Sequence, residues 1–141
     1  MQADCVLVEP ENERQLRAWL DRSGSIARGL GRSYGDAALN AGGQVLGMER
    51  LDRYLGFDAE RGVLRCEAGV SLAQIIRDFA PRGWFPSVTP GTKFVTIGGC
   101  IANDIHGKGH HAHGCFSNCV ESFSILSNAV EEPNGIGWIA D

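Results

Sequence analysis

The sequence predicts a mixed α and β fold built from short elements, and three observations predict it. Strand-length apolar runs alternate with helix-period segments along the chain. Ser71-Leu72-Ala73-Gln74 has the form of a capping box in front of an apolar face spaced as in a buried helix. Nineteen glycines stand against five prolines, and most of them gather in two stretches, Gly29–Gly43 and Gly91–Gly114, between those elements rather than in a linker. Glycine placed there points to backbone that approaches something closely.

Each element follows from local pattern. Glu11–Arg22 carries Leu16, Trp19 and Leu20 at i, i+3, i+4 among charged neighbours, which predicts an amphipathic helix ended by Ser23-Gly24. Ser25–Arg28 fits a short strand, and Val45–Met48, Tyr54–Asp58 and Val63–Ala68 are strand-length. The last of these sets Leu64, Cys66 and Ala68 against Arg65 and Glu67 at period two, after the turn Ala59-Glu60-Arg61-Gly62. Leu72, Ile75, Ile76 and Phe79 share one helix face, which Pro81 and Gly83 terminate. Trp84–Val88 is expected as a strand, Thr96–Ala102 as the start of a short helix, Lys108–Cys115 as a His-rich loop and Val120–Leu126 as a strand. Trp19, Phe79 and Trp84 lie on amphipathic elements, where packing in the core is the expectation rather than a stacking surface. Beyond Leu126 neither period continues; the chain reads as stopping mid-fold, with residues 127–141 a divergent tail, truncated or frame-disrupted.

Composition narrows the function classes. With 43% hydrophobic and 21% charged residues, the 141-residue chain has globular composition and length for one modest core. A formal net charge of −4 excludes a broad nucleic-acid footprint, which needs clustered Lys and Arg. The start Met1-Gln2-Ala3-Asp4-Cys5 lacks the basic and apolar regions of a signal peptide, and no run reaches the ~18 apolar residues of a membrane span. A soluble, cytoplasmic chain is the expectation. Five cysteines, Cys5, Cys66, Cys100, Cys115 and Cys119, form an odd set without disulfide-scaffold density, which favours free thiols.

Two loops could carry chemistry. Arg28-Gly29-Leu30-Gly31-Arg32-Ser33-Tyr34-Gly35-Asp36 is too rich in glycine for a helix, and successive backbone N–H groups of such a turn can hold a pyrophosphate. Its spacing, G-x-G-x-x-x-G without a following helix, departs from the Rossmann fingerprint, so a Rossmann NAD site is not expected. A glycine loop alone is as well explained by a structural turn. The second stretch, Thr96-Ile97-Gly98-Gly99-Cys100-Ile101-Ala102, could offer helix N-terminal N–H groups to an anion, with Gly98 and Gly99 admitting a planar ring. Tight packing of helix on sheet would explain the same glycines.

Together these segments resemble a known family. Ala27–Asp36, Pro90-Gly91-Thr92, Thr96-Ile97-Gly98-Gly99 and Asp104-Ile105-His106-Gly107-Lys108 are similar to the FAD domain of decaprenylphosphoryl-ribose oxidase-like proteins, members of the vanillyl-alcohol oxidase and p-cresol methylhydroxylase superfamily. The resemblance covers residues 5–126 and implies an α+β FAD-binding domain of two small α/β subdomains with the flavin between them, here incomplete at the C-terminus.

The resemblance assigns roles by position. It implies that Ala27, Arg28, Gly29, Leu30, Gly31, Arg32, Ser33, Tyr34, Gly35, Asp36 and Ala37 wrap the pyrophosphate of FAD. Gly91, Thr96, Ile97, Gly98, Gly99, Asn103, Asp104, Ile105 and His106 would line the flavin and ribityl chain, with His106 and Lys108 nearest the substrate as catalytic candidates. Some members attach flavin to a histidine of the first loop; Arg32-Ser33-Tyr34 has none, which implies non-covalent FAD. Gly109 stands where the family has Asn, and Cys119 where His is common. The implied reaction passes hydride from a sugar or related alcohol, lipid-linked sugar included, to flavin N5, with the proton taken by a base from the domain that follows. By that reading this chain alone does not turn over.

Other readings stand beside it. His106, His110, His111, His113, Cys115 and Cys119 have donor types suited to zinc, although the resemblance already accounts for their stretch and predicts no metal. Cys115 and Cys119 lie near histidines, as a nucleophilic thiol would, but free cysteine is mostly a small buried apolar group. The chain could also be an inactive fragment, or an FAD subunit completed by a partner chain that brings the substrate domain.

Overall fold

The computed structural model describes residues 4–20 and 24–126. Five strands and four short helices follow one another as β1 (Val6–Val8), α1 (Glu13–Leu20), β2 (Ser25–Arg28), β3 (Gln44–Gly47), β4 (Tyr54–Asp58), β5 (Val63–Cys66), α2 (Leu72–Phe79), α3 (Ile97–Ala102) and α4 (His110–His113). Single 3-10 turns at Met48–Arg50, Ala80–Arg82 and Phe116–Cys119 join them.

The first half is a three-stranded parallel sheet in the order β1-β3-β2. Val6 and Ser25 both pair with Gln44, so the three strands start level. Central β3 is covered most fully: Val45, Leu46 and Gly47 are buried. Helix α1 makes the crossover between the outer strands. Its start is fixed by two reciprocal bonds, the Gln15 N–H to Asn12 Oδ1 (2.9 Å) and the Glu11 N–H to Gln15 Oε1 (2.8 Å). Leu16 of that helix meets Leu46 and Leu51 in a first core, with Val8, Trp19, Leu20, Met48 and Leu126 around it.

The second half starts with the antiparallel hairpin β4-β5, irregular between Tyr54 and Gly56. The expected capping box forms: Ser71 Oγ accepts from the Gln74 N–H at 3.2 Å while the Ser71 N–H donates to Gln74 Oε1 at 2.8 Å. Phe79 at the far end of α2 gathers Phe57 and Tyr54 with ring centroids 4.8 and 5.3 Å away, and Trp84 stands edge-on to Phe57 at 5.6 Å. A second core unites Leu72, Val88, Cys100 and Phe116.

Several expectations need correction. Trp84–Val88 is not a strand: Pro86 has no N–H to give a ladder, and the Trp84 N–H closes the end of α2 by donating to the Phe79 carbonyl at 3.1 Å. From this irregular backbone Val88 is buried, at 3% exposure, Trp84 is half-buried and Phe85 is exposed. Val120–Leu126 is likewise outside any strand, having no ladder partner among the described residues. Val120 instead packs on the second core and Leu126 on the first. Part of the His-rich loop is a helical turn, α4, and the short strand β1 has no counterpart among the expected elements. Residues 127–141, the expected divergent tail, lie outside the described residues.

Candidate functional site

The first glycine loop leaves β2 at Arg28 and returns to β3 at Gln44. Gly31 (φ 63°) and Gly35 (φ 58°) are left-handed, which bends the loop and keeps it out of helix and sheet. From Leu30 to Ala38 the backbone N–H groups donate to no other group among the described residues. Residues Arg32, Ser33, Tyr34, Gly35, Asp36 and Ala37 are exposed, Tyr34 to 98%. Arg28 and Arg32 add positive charge: the Arg28 guanidinium folds against Gly31, and Arg32 donates to the Leu30 carbonyl at 2.7 Å. Unspent donors beside two guanidiniums are what an anionic pyrophosphate requires.

The second glycine segment differs from the expectation in its donors. Helix α3 forms at Ile97–Ala102 with Thr96 as N-cap. Its first N–H groups are already used, Ile97 by the Val70 carbonyl (2.7 Å), Gly98 by the Ala68 carbonyl (2.8 Å) and Gly99 by Thr96 Oγ1 (3.3 Å). The expectation that these groups face an anion is therefore corrected: they seat the helix on the β5–α2 connection. Thr96, expected to line the flavin, is buried, 4% exposed, with its hydroxyl turned to the helix. It is the direct neighbour of the first loop, since a Cβ at Gly29 would overlap Thr96 Oγ1.

Gly91 stands on the ridge Thr89-Pro90-Gly91, which borders two clefts. One, about 400 Å³, runs between Leu72, Ile76, Phe85, Lys93 and Phe94. The other, about 450 Å³, lies between Phe85, Lys108, His110 and His113 and is closed below by Gly107. Lys108 thus faces a cleft as a catalytic candidate would. Phe85 and Thr89 were not singled out by sequence, and His110 and His113 were singled out only as metal-donor types, not as cleft residues; the signal was present in Phe85 beside Pro86 and in the density of histidine.

Asn103, Asp104 and His106 hold the far side. Asp104 takes the left-handed conformation (φ 40°), and its Oδ1 accepts from the Ser117 N–H at 2.9 Å. That backbone hydrogen bond holds the carboxyl below its usual range. Asn103 donates to the Gly99 carbonyl at 2.8 Å, which closes the end of α3. Ile105 is half-buried against the second core. His106 is exposed, bridges Cys115 through its backbone and lies 5.7 Å from the His110 ring, itself 3.8 Å from that of His111.

The zinc reading does not gather its ligands: among the described residues no three His, Cys, Asp or Glu side chains converge for a metal ion. All five thiols are unpaired, and burial pushes two of them up, Cys66 to about 11 and Cys100 to about 12. No helix among the described residues is long and apolar enough to cross a membrane.

A family described as FAD binding domain matches residues 5–129. The decaprenylphosphoryl-β-D-ribose oxidase of Mycolicibacterium smegmatis (strain ATCC 700084 / mc(2)155) is 49% identical over 104 residues, 74% of this chain and 23% of that protein. A D-lactate dehydrogenase of Anaerostipes hadrus is 28% identical over 92 residues, 65% of this chain and 19% of that protein. Among solved structures, alkyldihydroxyacetonephosphate synthase superposes with a TM-score of 0.70 at 17% identity, over 83% of this chain and 23% of that one, which shows the α+β fold. The chain spans less than a quarter of the length of these relatives. Matched along most of its length, it belongs to the FAD binding domain family of the vanillyl-alcohol oxidase superfamily, whose cofactor is FAD.

Proposed function

We propose that this chain is the flavin-binding portion of an oxidoreductase that oxidises a sugar or related alcohol. The observation that carries the reading is the first loop, whose N–H groups from Leu30 to Ala38 are unspent beside Arg28 and Arg32. Ala27–Ala37 holds the pyrophosphate; Gly91, Ile97, Gly98, Gly99 and Asn103–His106 border the flavin and ribityl chain, with Thr96 beneath them. FAD is bound without a covalent link, because Arg32-Ser33-Tyr34 offers no histidine. When bound, FAD supplies hydride acceptance at N5.

The remaining chemistry rests on side chains. His106 and Lys108 stand on the substrate side: Lys108 lines the larger cleft, where its ammonium can hold an anionic or hydroxyl oxygen. The relatives are named for a ribose and for D-lactate, which supports a hydroxyl-bearing substrate. The base that removes the hydroxyl proton comes from outside these residues, in the rest of a longer protein or in a partner chain, and the chain alone is inactive. Five unpaired thiols support a reducing, cytoplasmic setting.

Titration of the 141-residue chain with FAD, followed by bound-flavin absorbance and thermal melting, tests the reading. Binding raises the melting temperature if the folded chain alone takes FAD. No bound flavin and no cooperative melting would defeat it.

A further inference from the structure

We propose that Thr96 is a positioning residue for FAD, acting through its contact with Gly29 to set the gap between the pyrophosphate loop and helix α3. The inference rests on the proposed FAD site and changes the role of one of its residues: Thr96 acts from beneath, through Gly29, rather than by lining the flavin.

Gly29 is the first residue after β2, and the unspent N–H groups begin with the next one. A Cβ at Gly29 would overlap Thr96 Oγ1, come within 2.9 Å of Thr96 Cγ2 and within 3.1 Å of Thr96 Cβ. The loop therefore starts with its backbone pressed on the face of the threonine side chain. Thr96 has no room to yield: it is only 4% exposed, and its Oγ1 accepts the Gly99 N–H. Ser71 pairs with Thr96 across an isolated antiparallel bridge, and the Leu72 N–H donates to the Val95 carbonyl at 3.0 Å.

These contacts close a circuit. The Ile97 N–H donates to Val70, and the Gly69 N–H donates to the Leu51 carbonyl at 2.8 Å. Leu51 follows the turn after β3, and β3 pairs along its length with β2, from which Gly29 emerges. The loop's origin is thus fixed from both sides, by the sheet and by Thr96. A cradle of backbone donors holds its ligand only when its walls stand at the right separation, and a displacement of about 1 Å at such a site costs orders of magnitude. The pair Gly29 and Thr96 is where that separation is set.

The test is a double-mutant cycle read by FAD affinity in the 141-residue chain. Gly29→Ala is expected to weaken FAD at least about tenfold, because the new methyl meets Oγ1 and Cγ2. Gly29→Ala with Thr96→Ser stays weak, since Oγ remains. Gly29→Ala with Thr96→Ala recovers to within about threefold of Thr96→Ala alone, because the two closest atoms, Oγ1 and Cγ2, are gone and only Cβ at 3.1 Å remains. Single Thr96→Ser, which keeps the cap but loosens the contact, weakens FAD about threefold or more and alters the bound-flavin spectrum, with the melting temperature of the FAD-free chain nearly unchanged. That last variant keeps the idea exposed to refutation even if Gly29→Ala fails to fold. Additive effects in the cycle, or Thr96→Ser binding FAD as the unaltered chain does, would overturn the inference and leave the FAD site intact. An unaltered chain that does not bind FAD overturns the proposed function and this inference with it.

Discussion

Ser71 and Thr96 face each other across an antiparallel bridge, and each is the N-cap of a helix, α2 and α3 respectively. Both are buried, at 7% and 4% exposure. The two helices whose ends frame the second core thus start from one point, each hydroxyl satisfying a donor that water cannot reach.

Ser71→Ala removes one half of a capping box in that setting. The expected loss is about 1 kcal/mol of folding stability. Urea unfolding checks it, and an unchanged midpoint with unchanged slope would contradict the cap's role.

Acid should weaken the hairpin's anchorage through Glu67. Its side chain, 15% exposed, pairs with Arg53 at 2.6 Å, and that hydrogen bond holds the carboxyl below its ordinary value of 4.5. A depressed folded pKa means stability present above about 4.5 and lost as pH falls through the folded value. Melting temperature measured from neutral pH down to acid should fall in that window. Glu67→Gln should reduce the slope there, and an identical profile in the variant would rule the pair out as its source.

Gly107 abuts Thr89 closely enough that a Cβ would overlap the Thr89 carbonyl oxygen, and both residues line the larger cleft. Backbone cannot swing aside as a side chain can. Gly107→Ala is expected to cost about 1–3 kcal/mol, read by denaturant unfolding, through forced separation of the cleft's floor and wall.

The thiols should react in order of burial. Cys5 and Cys119 are exposed, whereas Cys100 is fully buried and burial pushes it up to about 12. Iodoacetamide at mildly alkaline pH, followed by mass spectrometry, should label Cys5 and Cys119 first and Cys100 only on unfolding. Early labelling of Cys100 would contradict the second core as described.

Local elements were legible in the sequence because their causes are local. Ser71 and Gln74 announce α2 within one turn, and the alternation of Leu64 and Cys66 marks β5. Tyr54–Asp58 was found to the residue. What failed depended on distant partners. Val120–Leu126 has strand character in its residues, but a strand exists only where another lends its ladder. Val6–Val8 is too short to show a period and is a strand only because Gln44–Gly47 lies beside it. The same limit applies to the site. The glycine-rich loops were visible as loops, whereas the use of α3's donors by Ala68 and Val70, and the meeting of Gly29 with Thr96, arise from chain segments far apart in sequence.

The segment Val120–Leu126 has one more consequence. It touches the second core at Val120, reaches the hairpin through Glu121 and Arg61 at 2.7 Å, and ends on the first core at Leu126. Seven residues without regular structure therefore act as a strap across both halves of the molecule. Cutting the chain before Val120 is expected to lower the melting temperature, since the halves would then be held by the contact of Gly29 with Thr96 and the hydrogen bond from Gly69 to Leu51 without this segment.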